Sequence, residues 1–107
     1  MDAPPNVTEN PMLYIAVCYD KPDSFALRLA NRGAHLDFLR SNAAEIKVCG
    51  PILADDNETM IGSMLIVEAA DRSAAEIILA KDPYRSAGLF GSIDVRPWRW
   101  VIGSPNG

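Results

Sequence analysis

The sequence predicts an α+β fold, a four-stranded antiparallel sheet carrying two helices on one face. Three observations lead there. Segments rich in β-branched and aromatic residues recur four times, and two stretches with helical spacing separate the first from the second and the third from the fourth. Pro, Gly and Asp clusters punctuate the junctions, so the order reads βαββαβ.

Each element has a local reason. Residues Met1 to Pro11 carry Pro4, Pro5 and Pro11 among polar side chains and are expected to be disordered or extended. Leu13 to Tyr19 is the first strand, broken by Asp20-Lys21-Pro22-Asp23. A helix then runs from Ser24 to about Arg40 or Ser41. The second strand, Ile46 to Leu53, contains Gly50-Pro51 and is therefore expected to be kinked or at a sheet edge. Asp55-Asp56-Asn57-Glu58 supplies the turn into a third strand, from Met60 or Ile61 to about Ala69. Ser73-Ala74-Ala75-Glu76 has the form of a capping box, predicting a helix that stops at Asp82 before Pro83. A loop over residues 84–90 leads to the last strand, from about Ser92 to Val101. This is the ferredoxin-like arrangement.

Composition narrows the class of function. The 107 residues, 49% of them hydrophobic, make one domain over residues 12–103 with a short C-terminal tail, 104–107. Apolar stretches are only a few residues long, and the first residues lack the basic flank and apolar block of a secretory signal; neither a membrane span nor export is expected, which leaves the cytoplasm. The triplets Asn6-Val7-Thr8 and Asn57-Glu58-Thr59 then occur by chance. Net charge is −4, and the ten basic residues are spread from Lys21 to Arg99 without a run, which argues against nucleic acid or anionic lipid as a partner. Cys18 and Cys49 lie in separate apolar strands with no metal-ligand spacing, so core positions in a reducing compartment are expected and no metal is implied.

The first helix carries the only histidine of the chain, His35. At about 100° per residue, Phe25, Leu29, Leu36 and Leu39 form an apolar stripe with Arg32 in its middle and Arg28 and His35 on its margin. Charged side chains normally face solvent; three basic groups on the packing side suggest a polar cavity. The alternative is a half-exposed histidine with no role.

Two strands also fail to alternate. Leu13-Tyr14-Ile15-Ala16-Val17 and Met64-Leu65-Ile66-Val67 are apolar on both faces, although helices would cover only one. A second subunit is the simplest cover, giving a homodimer packed through the helix-free sheet faces as a closed α+β barrel.

At this point the chain resembles the YciI-like (YCII-related) proteins. The resemblance is carried by Arg32 to His35, Gly50-Pro51-Ile52, Gly62-Ser63, Asp82-Pro83-Tyr84, Ala87-Gly88-Leu89-Phe90 and Pro97-Trp98, in that order, covering about Met12 to Ile102. It implies a dimeric ferredoxin-like barrel with an active site around a His-Asp pair, whose positions match His35 and Asp82. Some relatives are dehydrochlorinases of chlorinated hydroxyquinols, so lyase-like or isomerase-like proton transfer is implied without a named substrate.

The residues support such a pair on their own terms. As the last residue of its helix, Asp82 would sit at the negative end of the macrodipole, where a cation is favoured; its alternative role is a helix stop. A carboxylate on one imidazole nitrogen would aim the other at substrate, and His35 could then take and return a proton without any cofactor. Ser63 follows Gly62, whose missing side chain would let a ligand or backbone approach, and reads as a ligand contact and not a nucleophile. Arg32 could hold a substrate carboxylate or phenolate, or instead salt-bridge Asp82 or Asp37. Trp98, Trp100 and Phe90 read as core or interface anchors. Two classes of function remain open: a small cofactor-free enzyme acting on a cyclic or carbonyl-bearing molecule, and a non-catalytic ligand-binding or assembly module.

Overall fold

The computed structural model describes residues 12–104. The segment 1–11, expected to be disordered or extended, lies outside the described residues. Strands β1 (Met12–Asp20), β2 (Ile46–Leu53), β3 (Met60–Ala69) and β4 (Phe90–Trp98) form one sheet in the order β2-β3-β1-β4, every neighbouring pair antiparallel. Helices α1 (Phe25–Ser41) and α2 (Arg72–Ala80) and a single turn, α3 (Pro83–Ser86), complete the chain. The ferredoxin-like α+β fold read from the sequence is therefore the fold of the protein.

Register explains the two-sided hydrophobicity. Tyr14, Ala16 and Cys18 of β1 point to one face, level with Val67, Leu65 and Ser63 of β3, and pack with Val95, Phe38, Ala75 and Leu79 into the core. Their neighbours Leu13, Ile15 and Val17 point the other way, beside Met64 and Ile66. Most of this second face is only half-buried. Both edges of the sheet carry a proline, Pro51 in β2 and Pro97 in β4, as edge strands tolerate. Gly62 serves the backbone and not a ligand, because a Cβ there would collide with the carbonyl oxygen of Cys18 on β1.

The structure corrects four local expectations. Helix α2 is capped by Asp71, which accepts from the Ala74 N–H at 2.9 Å, so the Ser73 to Glu76 box is not the cap; Glu76 pairs instead with Arg72. The loop expected at 84–90 begins as α3. Strand β4 starts earlier and ends at Trp98, three residues before Val101. In α1 the buried residues are Arg28, His35 and Phe38, whereas Phe25 and Leu29 are 50% and 51% exposed. Leu36 and Leu39 stay half-buried, Leu39 against the core, so only the N-terminal half of the apolar stripe faces outward. There the buried position is taken by Arg28, an arginine with its own counter-ion.

Candidate functional site

Pro83 cannot continue α2, and the chain turns so that Asp82 becomes the N-cap of α3. Its Oδ1 accepts the Tyr84 N–H at 2.9 Å. The same oxygen lies 2.9 Å from His35 Nδ1, with both side chains buried. Asp82 is therefore not an acid stranded at a helix C-terminus, as the sequence suggested. It sits where a carboxylate is favoured, at the start of a helical turn. Since a carboxylate only accepts, Nδ1 donates, and in the neutral imidazole this would put the lone pair on Nε2. His35 stacks on the Tyr84 ring, 4.1 Å between centroids and 16° from parallel, which fixes the imidazole plane.

Arg28 is the second centre of the site, and sequence reasoning gave it no role of its own. It is 2% exposed and grips Asp20 in a fork, Nε to Oδ2 at 2.7 Å and Nη2 to Oδ1 at 3.0 Å. Nη2 also donates to Ser63 Oγ at 2.9 Å, and the guanidinium carbon lies 4.6 Å from the centroid of the Tyr84 ring. Burial works against its charge, but the bond and charge of Asp20 outweigh this and hold the guanidinium pKa above its ordinary value. Burial likewise raises the Tyr84 phenol, against the opposing pull of Arg28. The available signal was spacing: Arg28 and His35 are seven residues apart, two turns along one face.

A cavity of about 150 Å³ opens beside these groups. Arg28, Arg32, His35, Ser63 and Tyr84 supply its polar wall; Leu36, Leu39, Pro51 and Met60 are among its apolar residues. All four residues singled out in the sequence are thereby placed. His35 and Asp82 meet, Ser63 and Arg32 line the same cavity as His35, and Asp82 stands behind the imidazole. Ser63 is engaged by Arg28. Arg32 is exposed, and among the described residues it forms no ion pair; Asp37 pairs with Arg40 instead. Cys49 also lines the cavity, and burial, with the Asp82 charge adding to it, pushes its thiol up to about 11. It is a neutral wall residue at neutral pH.

Comparison with known proteins places the chain as a whole. The YCII-related domain matches residues 12–99, from the first residue of β1 to just past β4. The chain belongs to the YCII family. Protein YciI of Escherichia coli O6:H1 is 33% identical over 98 residues, covering 85% of this chain and all of the relative. An uncharacterized Haemophilus influenzae protein matches to the same extent. Among solved structures, the 5-chloro-2-hydroxyhydroquinone dehydrochlorinase of Burkholderia phenoliruptrix AC1100, in complex with 2,5-dihydroxybenzoquinone, is 36% identical with a TM-score of 0.73. That match covers 86% of this chain and 96% of the other. An antibiotic biosynthesis monooxygenase at 16% identity and a TM-score of 0.54, covering 84% of this chain and 98% of the other, shares the fold alone. This YCII chain thus has a small-molecule enzyme among its similar structures.

Proposed function

We propose that this YCII protein is a small cytoplasmic enzyme in which His35, oriented by Asp82, transfers a proton on a small, oxygen-bearing ring. The observation that carries the reading is the buried 2.9 Å contact between His35 Nδ1 and Asp82 Oδ1 at the wall of a cavity holding two arginines. Nε2 takes a proton from an activated O–H or C–H position, Asp82 stabilises the imidazolium that forms, and the proton is returned to another position or leaves with an anion. In an elimination the C–X bond breaks with its electron pair on X, so net loss of HX needs neither oxidant nor reductant. Arg32, which forms no ion pair among the described residues, faces the substrate oxygen that gains charge, and Ser63 lies within the same polar wall. The dehydrochlorinase among the similar structures supports a lyase-like reaction and suggests 5-chloro-2-hydroxyhydroquinone as the first probe.

The working unit in this reading is a homodimer. Leu13, Ile15, Val17 and Met64, all half-buried, surround the buried Ile66 on the helix-free face, and packing two such faces closes an α+β barrel.

Chloride release from the probe tests the chemistry. Turnover by the wild type, lost in His35→Ala and in Asp82→Asn while both variants keep the native circular dichroism spectrum, is the expected result. Probe binding without chloride release in the wild type would instead establish the non-catalytic binding module.

A further inference from the structure

The N-terminal half of the α1 stripe faces open surface. Phe25, Leu29, Arg32 and Leu36 follow one another at spacings of four, three and four residues, so they form a single row along the helix. Arg32 and Leu36 line the cavity. Leu29 and Phe25 continue the row by one and two turns toward the helix N-terminus, half-exposed on open surface. On the β2 side, Pro51 lines the cavity, and Leu53, two residues further along the same face of the strand, is 41% exposed. The cavity thus leads onto an apolar ledge rather than directly into a polar surround.

Size and charge specify what fits. A cavity near 150 Å³ accepts about one benzene-sized ring, so a larger molecule must extend beyond it. At the junction between cavity and ledge stands Arg32, exposed and without an ion pair among the described residues. A cation there selects an anionic head, and the exposed aliphatic and aromatic surface beyond it selects an apolar extension. A charged or hydroxylated tail would gain nothing from Phe25 and Leu29.

We infer that the ligand is amphipathic, a single anionic ring seated in the cavity with an apolar substituent laid along Leu36, Leu29 and Phe25. This rests on the reading of the cavity as the substrate site and adds the class of molecule it takes.

The test compares two probes that share a head, 2,5-dihydroxybenzoquinone and its 3-hexyl derivative, by calorimetric titration of the wild type and of Phe25→Ser/Leu29→Ser. Both positions are half-exposed, and the single variant Leu29→Ser serves should the double variant fold poorly. At roughly twofold per methylene, half the effect of full burial, the wild type should bind the hexyl compound tens of fold more tightly. The double variant should lose most of that preference and keep its affinity for the parent. Equal affinities in the wild type would overturn the inference and leave the proton-transfer reading standing. Binding of neither probe would count against the anionic-ring reading itself, and the inference falls with it. A change in molecular mass of the double variant in solution, with the alkyl preference retained, would make the ledge a subunit contact and would also overturn it.

Discussion

Replacing Asp82 separates two tasks that its carboxylate performs at once. Oδ1 accepts the Tyr84 N–H that starts α3 and faces His35 Nδ1, both at 2.9 Å, and the side chain is 3% exposed. Asp82→Ala removes a helix cap, costing about 1 kcal/mol, and leaves a buried donor unmatched, costing about 1–3 kcal/mol more. The sum is about 2–4 kcal/mol, a large part of the ~5–15 kcal/mol that stabilises a typical domain. Asp82→Asn keeps an oxygen that can accept both bonds, and asparagine is as good a cap, so its loss should stay near 1 kcal/mol. In urea denaturation followed by tryptophan fluorescence, with a slope of ~1–3 kcal/mol/M, the alanine variant should lose roughly 1–2 M in midpoint and the asparagine variant much less. Chloride release should nevertheless vanish in both. Equal destabilisation by alanine and asparagine would refute the shared-acceptor argument, since charge and not acceptance would then hold the turn.

Three further outcomes follow from the same packing. Arg28→Met strands the Asp20 carboxylate, 7% exposed, and should destabilise by about 3–5 kcal/mol; adding Asp20→Asn should recover part of this, and a double-mutant cycle with no coupling would contradict the ion pair. Gly62→Ala places a Cβ against the Cys18 carbonyl and should destabilise by about 2 kcal/mol or more, read as a lowered melting temperature. Burial, reinforced by Asp82, raises the Cys18 thiol from 9.0 to about 12. In the unfolded chain that thiol ionises first, so its contribution is intact below about pH 9 and is lost as pH rises toward 12, at about 1.4 kcal/mol per pH unit. Cys18→Ala should show a flatter decline in urea stability between pH 8.5 and 10.5 than the wild type; an equal decline would assign it to other groups.

How much was legible depended on whether a residue obeyed its solvent preference. Strand β2 was read to the residue, and β3 nearly so, because β-branched runs bounded by turn residues leave few alternatives. The face of α1 was misread, since hydrophobic patterning assumes that apolar residues go inward. Arg28 reverses that rule by bringing Asp20 with it, and no periodicity reveals a counter-ion eight residues away. His35 and Arg32 stand out on their helix, Ser63 follows Gly62, and the pairing of His35 with Asp82 is what the family resemblance implies. What stayed hidden was their division of labour: Arg28 is the arginine that grips Ser63, Arg32 the one left exposed, and Tyr84 the plate beneath the imidazole. Each of these depends on contacts between elements far apart in sequence.

The prolines at the two sheet edges bear on how molecules of this protein meet. A strand edge recruits another chain by presenting a regular series of backbone donors and acceptors, and a proline interrupts that series because it has no N–H to offer. With Pro51 on one margin and Pro97 on the other, edge-to-edge growth of the sheet is discouraged at both sides. Pairing of copies edge to edge is thereby disfavoured. A concentrated solution should accordingly resist fibre formation even though two of its strands are apolar on both faces.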